Sequence, residues 1–144
     1  MHFVLVAILV GFTGCGHPQS PGSQCFSEST GLSLPPGTQC LAAKTITVAL
    51  VGLDTHYLKF QATNDMTPYL AAHFRAVDWT TVKEDMRPPS DWKKNLPFWS
   101  QSEVERQVHY AGDFTDKNGT KFKTAMSYDT NRMLVYFVGM QCRD

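Results

Sequence analysis

The stretch ERQVHYAGDFTDKNGTKFKTAMSYDTNRMLVYFVGM, Glu105 to Met140, holds three runs of strand-forming residues separated by two short turn segments. The runs ERQVHYAGDF, TKFKTAMSY and RMLVYFVGM are rich in β-branched and aromatic residues, which fit a pleated surface. Between them stand TDKNG and DTN, built from the residues that tolerate tight turns. Asn118-Gly119 is a hairpin signal, because both residues accept the positive φ that a two-residue turn demands. The reading is a meander of three antiparallel strands.

Working toward the N-terminus, KTITVALVG (44–52) alternates Ile46, Val48 and Leu50 on one face. After Gly52-Leu53-Asp54 comes THYLKFQA, in which Tyr57 and Lys59 face away from Leu58 and Phe60, so the two segments read as a β-hairpin. In NDMTPYLAAHFRAV the period changes to helical. Asn64 or Asp65 is the cap, Pro68 fits the first turn, and Met66, Tyr69, Leu70, His73, Phe74 and Val77 share one face. The segment 78–100, DWTTVKEDMRPPSDWKKNLPFWS, carries all three tryptophans, and prolines at 88, 89 and 97 limit regular structure. A long ordered connection with one helical turn is expected there. The order β-β-α-loop-β-β-β predicts an α+β domain over 44–144: an antiparallel sheet of about five strands, with one main helix packed on one face.

The other end of the chain addresses location. Phe3 to Phe12 is an apolar block interrupted by Gly11, about 15 Å long as a helix and so roughly half a bilayer core. A run this short at the extreme N-terminus, followed by small residues, is the pattern of a secretory signal. The FTGC that closes it resembles the lipobox of bacterial lipoproteins. The resemblance covers about the first fifteen residues, and it implies a cut after Gly14 and lipidation of Cys15. It also implies placement in the cell envelope, with Gly16 after the cysteine favouring the outer membrane, facing the periplasm. The residues themselves leave an ordinary signal peptide with Cys15 in a disulfide as the alternative. The expected organisation is a signal at 1–14, a lipidated cysteine and flexible tether at 15–43, and the folded domain beyond. The tether rests on 16–39, GHPQSPGSQCFSESTGLSLPPGTQ, whose Gly, Pro, Ser and Gln content buries little surface.

Composition narrows the function classes. The chain has 13 basic and 13 acidic residues, which argues against a nucleic-acid binder and gives no pull toward anionic lipid. With Cys15 lipidated, Cys25, Cys40 and Cys142 remain, enough for one disulfide and one leftover thiol. Cys25–Cys40 would close an N-terminal loop. Cys40–Cys142 is favoured, as joining two segments that a sheet can bring together. Cysteine spacing gives no zinc pattern, and no cofactor or metal is expected. The histidines at 2, 17, 56, 73 and 109 lack the close spacing of metal motifs and are read as structural or surface residues. DFTDKNGT (113–120) mimics part of a calcium loop. Aligning Gly119 at its sharp turn, however, puts Phe114 and Ala125 where carboxylates belong, so a hairpin turn is the better reading. Asn118-Gly119-Thr120 is also a glycosylation sequon, relevant in a eukaryotic source. Nucleophile elbows and phosphate loops are missing, and Asp54, Asp78, Glu84 and Asp85 read as solvated charge.

No catalytic pattern emerges, and the chain is expected not to be an enzyme. RPPSDWKKNLPFW offers Arg87, Trp92 and Trp99 in a proline-stiffened loop, the composition of a protein-binding surface; the competing reading is that the rings plug the sheet as core. The expectation is a small lipid-anchored envelope protein that acts by binding. As an analogy from size, export and anchoring, an immunity or inhibitor protein against a toxin or cell-wall hydrolase fits; a structural or accessory lipoprotein of an envelope complex is the alternative.

Overall fold

Six strands form one fully antiparallel sheet in the computed structural model, which describes residues 20–143. In chain order the elements are α1 (Pro21–Thr30), β1 (Gln39–Val48), β2 (Leu53–Gln61), α2 (Thr67–His73), β3 (Arg75–Val77), α3 (Trp79–Val82), a 3-10 turn (Lys93–Asn95), α4 (Gln101–Glu105), β4 (Val108–Thr115), β5 (Lys121–Asp129) and β6 (Leu134–Cys142). The sheet order is β1-β2-β6-β5-β4-β3, so the C-terminal meander lies inside the β1–β2 hairpin and the short β3. The α+β class and antiparallel sheet agree with the sequence reading.

The predicted turns close the hairpins. Between β4 and β5, Asp116 Oδ1 accepts from the backbone N–H groups of Asn118 and Thr120, both at 2.8 Å, and Gly119 has φ +83°. Between β5 and β6, Asp129 Oδ1 accepts from the N–H groups of Asn131 and Arg132. Local side-chain acceptors of this kind fix a turn before any long-range contact forms.

Each face of the sheet has its own core. On one, Phe26 of α1 and Leu70 of α2 meet Leu58, Phe60, Met126, Tyr128, Val135 and Phe137. On the other, Val82, Met86, Leu96 and Val104 from the 78–106 segment cover Tyr57, Ala125, Tyr136 and Val138. Burial on both faces explains why RMLVYFVGM is nearly continuous apolar sequence, where a half-exposed strand would alternate. The opposition of Tyr57 to Leu58 and Phe60 is as read from the sequence.

Three expectations are corrected. Residues 21–30 are not tether but a helix. Ser20 caps it through a 3.2 Å bond from Ser23 N–H, Pro21 stands in the first turn, and Gly31 ends it at φ +69°. Its one large apolar side chain, Phe26, sits against the rings of Phe60 and Phe137 at 5.9 and 5.1 Å, and β1 starts at Gln39, before Lys44. Second, the helix starting near Asp65 stops at His73. Residues 75–77 pair with β4 instead, and His73, placed on the buried face by periodicity, is exposed beside the Tyr69 ring. Third, Cys40 and Cys142 do not approach. Cys40 is level with Phe60 and hence with Val135, and Cys142 lies seven residues further along β6. That offset is about 23 Å at strand rise, beyond the reach of a disulfide.

Candidate ligand-binding site

One end of the sheet opens into a concave region of about 650 Å³. Helix α1 supplies Gln24, Ser27 and Glu28, the start of β2 supplies Asp54 and His56, the β4–β5 turn supplies Asp116 and Lys117, and β6 supplies Gln141. The gathering follows from two local facts. Gly139 lets β6 pass directly beneath α1, where any Cβ would lie 2.7 Å from Ser29 Oγ. The turn at 49–52 returns β2 so that Asp54 and His56 enter at the same end as the β4–β5 turn.

The polar groups are held in place. Asp54 accepts from Thr47 Oγ1 at 2.5 Å, and its backbone N–H donates to Gln141 Oε1 at 2.9 Å. His56 is buried, its ring stacked on Phe122 with 20° between planes and its Nδ1 2.7 Å from Thr45 Oγ1. Thr45 Oγ1 also lies 3.8 Å from Cys25 Sγ. Cys25 and Glu28, three residues apart, share one face of α1, and that face meets β2 at His56. One ligand atom each from Cys25, Glu28 and His56 lie within 4.8 Å of one another.

Burial acts on the protonation of Cys25 and His56. Desolvation pushes the Cys25 thiol up, the Thr45 hydroxyl opposing only in part. It pushes His56 below the usual imidazole range, against the pull of the Asp54 and Glu28 charges. Both directions oppose a thiolate–imidazolium pair, the state that activates a nucleophilic cysteine. A neutral imidazole beside a thiol and a carboxylate is instead a metal-ligand set.

The residues singled out from sequence are dispersed. Cys15, His2 and His17 lie outside the described residues. Cys25 joins the trio, Cys40 packs against Gly22 one turn earlier on α1, and Cys142 is exposed; all three are free thiols. Trp92 and Trp99 are half-buried on the sheet, their rings 6.3 and 5.3 Å from that of Tyr57, and Trp99 Nε1 donates to the Met86 carbonyl. Arg87 is exposed, 5.6 Å over the Trp79 ring and paired with Glu105. His109 is buried with Nε2 2.8 Å from the Val104 carbonyl. Asp85 pairs with Lys123 at 2.9 Å. The sequence reading missed the convergence of Cys25, Glu28 and His56, because thirty-one positions separate Cys25 from His56 and only the docking of α1 joins them.

Comparison with protein-family models, with curated proteins and with solved structures finds no match for the chain. Among the described residues no helix is long and apolar enough to cross a membrane.

Proposed function

We propose that this is a small lipid-anchored protein of the bacterial cell envelope, on the outer membrane facing the periplasm. It works by binding a protein partner, as an immunity or inhibitor protein against a toxin or cell-wall hydrolase. The observation that carries the binding half is the edge at β1. No strand among the described residues pairs with its outer side, and the turn leading out of it exposes Leu50 at 98% beside exposed Val48 and Val51. A free edge with apolar side chains at its tip is the arrangement that accepts an added strand from a partner. The loop bearing Arg87, Trp92 and Trp99 is a second contact surface in this reading, through its exposed Asp91, Lys93 and Lys94.

The anchoring half rests on FTGC and Cys15. Five residues from Cys15 to Ser20 reach at most about 18 Å, so an anchored domain stays close to the lipid surface. The ten-residue length of the β1 edge also favours a second reading, an accessory lipoprotein held in an envelope complex.

The test has two arms. Intact mass of the mature protein should give acyl chains on residue 15, and Cys15→Ser should leave uncut precursor. Normal processing of that variant removes the anchor. For binding, Val48→Lys with Leu50→Lys should keep the fold and weaken partner capture at least about 10-fold. Unchanged capture rejects the edge. A single secreted hydrolase among the captured proteins supports inhibition, whereas a stable multi-protein assembly supports the accessory reading.

A further inference from the structure

We infer that Cys25, Glu28 and His56 form a zinc site that clips α1 to β2 and leaves one coordination position open toward the pocket. The inference is independent of the anchor and of the β1 edge. Three different donor types converge from two elements: a thiol and a carboxylate three residues apart on α1, and an imidazole on β2. Their ligand atoms already lie within 4.8 Å of one another, so rotamer adjustment brings them to a common ion.

The donor set selects the metal class. A thiolate with an imidazole and one carboxylate suits a borderline divalent ion such as zinc, and calcium or magnesium would take oxygen ligands throughout. The imidazole is buried, with its ring fixed by Phe122 on one side and Thr45 at Nδ1. Binding displaces the Cys25 proton to solvent as the sulfur–metal bond forms, and no oxidant or reductant is involved. Glu28 and His56 both line the pocket. With three protein donors on a tetrahedral ion, the fourth position is available to water or to a donor group of a ligand there.

The alternative for Cys25, a bond to Cys40, is less well supported. Its sulfur faces Thr45 at 3.8 Å, and Cys25 and Cys40 are both free thiols in this structure.

The test is metal binding by the purified protein, reduced and freed of metal with a chelator. Titration with Zn²⁺ should give one ion per chain. Titration with Co²⁺ should give a thiolate-to-metal charge-transfer absorption together with the visible bands of a tetrahedral ion. Cys25→Ser and His56→Ala should remove that absorption and weaken zinc at least about 100-fold, and Glu28→Gln should weaken it about 10-fold. Cys142→Ser and His73→Ala, at exposed positions, should bind like the parent. Zinc should raise the melting temperature of the parent and leave that of Cys25→Ser unmoved. Cys25→Ser preserves size and polarity and decides the matter if His56→Ala fails to fold. Absence of zinc binding, a cobalt complex without the thiolate band, or full-strength binding by Cys25→Ser overturns the site.

Discussion

His56 and Asp129 illustrate how single buried groups govern the response to acid. His56 sits below its ordinary range chiefly because burial disfavours the imidazolium. The unfolded chain, with an unperturbed histidine near about 6.5, therefore takes up a proton that the folded chain resists. Stability from this group is complete above about pH 6.5 and declines as pH falls toward the folded value. Asp129 is lowered by the Arg132 backbone N–H and then by its guanidinium, 2.6 Å away. Its contribution is present above the unfolded carboxylate range, near about 4, and is lost as pH falls through the folded value. Urea midpoints with chelator present should fall in two stages, below about pH 6.5 and again below about pH 4. His56→Gln should flatten the first stage, and Asp129→Asn should reduce the second. Asp65, Glu103 and Glu105 share that second stage because they too are held below their usual range. An unaltered first stage in His56→Gln would remove the assignment. Asp129 stands out in the sequence as a turn residue, but burial of His56 does not, since a histidine between Thr55 and Tyr57 reads equally well as surface.

At the scale of the element, α1 shows how few residues a docked helix needs. Its sequence PGSQCFSEST offers poor propensity but good boundaries, with Ser20 before Pro21 at one end and Gly31 at the other. Ser29 and Thr30 return their hydroxyls to the carbonyls of Cys25 and Phe26 at 2.8 Å, which lets these polar residues lie buried on the sheet. Phe26 supplies the apolar contact, 2% exposed among Phe60, Phe74 and Phe137. Phe26→Ala should cost about 3–5 kcal/mol in chemical denaturation. It should also release α1, visible as fast amide exchange over 21–30 with the meander still protected. Equal protection of α1 in the variant would mean that the caps alone hold it. The caps are legible from Ser20, Pro21 and Gly31. The docking is not, because one phenylalanine among serines carries no periodic signal.

For the whole molecule, the decisive feature is that the sheet is covered on both faces, on one by α1 and α2 and on the other by the irregular 78–106 segment. Trp99 is wedged between the rings of Tyr57 and Tyr136, each 5.3 Å away, and its indole N–H is satisfied by Met86. Trp99→Ala should therefore cost about 3 kcal/mol and lower the cooperativity of unfolding. A variant as stable as the parent that loses only partner capture would return Trp99 to the role of interface residue. Trp92 and Trp99 announce themselves in the sequence as unusual, but composition cannot separate an aromatic lid from an aromatic interface, since both need large rings held by prolines. The sequence by itself determined five of the six strands, the hairpin turns and the antiparallel meander, because alternation, β-branching and turn chemistry act between residues close along the chain, whereas β3 was hidden in a helical pattern. Only the tertiary structure decided that residues 21–30 are helix, that Cys40 and Cys142 stand at opposite ends, and that Cys25, Glu28 and His56 meet. Those outcomes depend on strand register and on burial against distant segments, whose energies exist only once the sheet has closed.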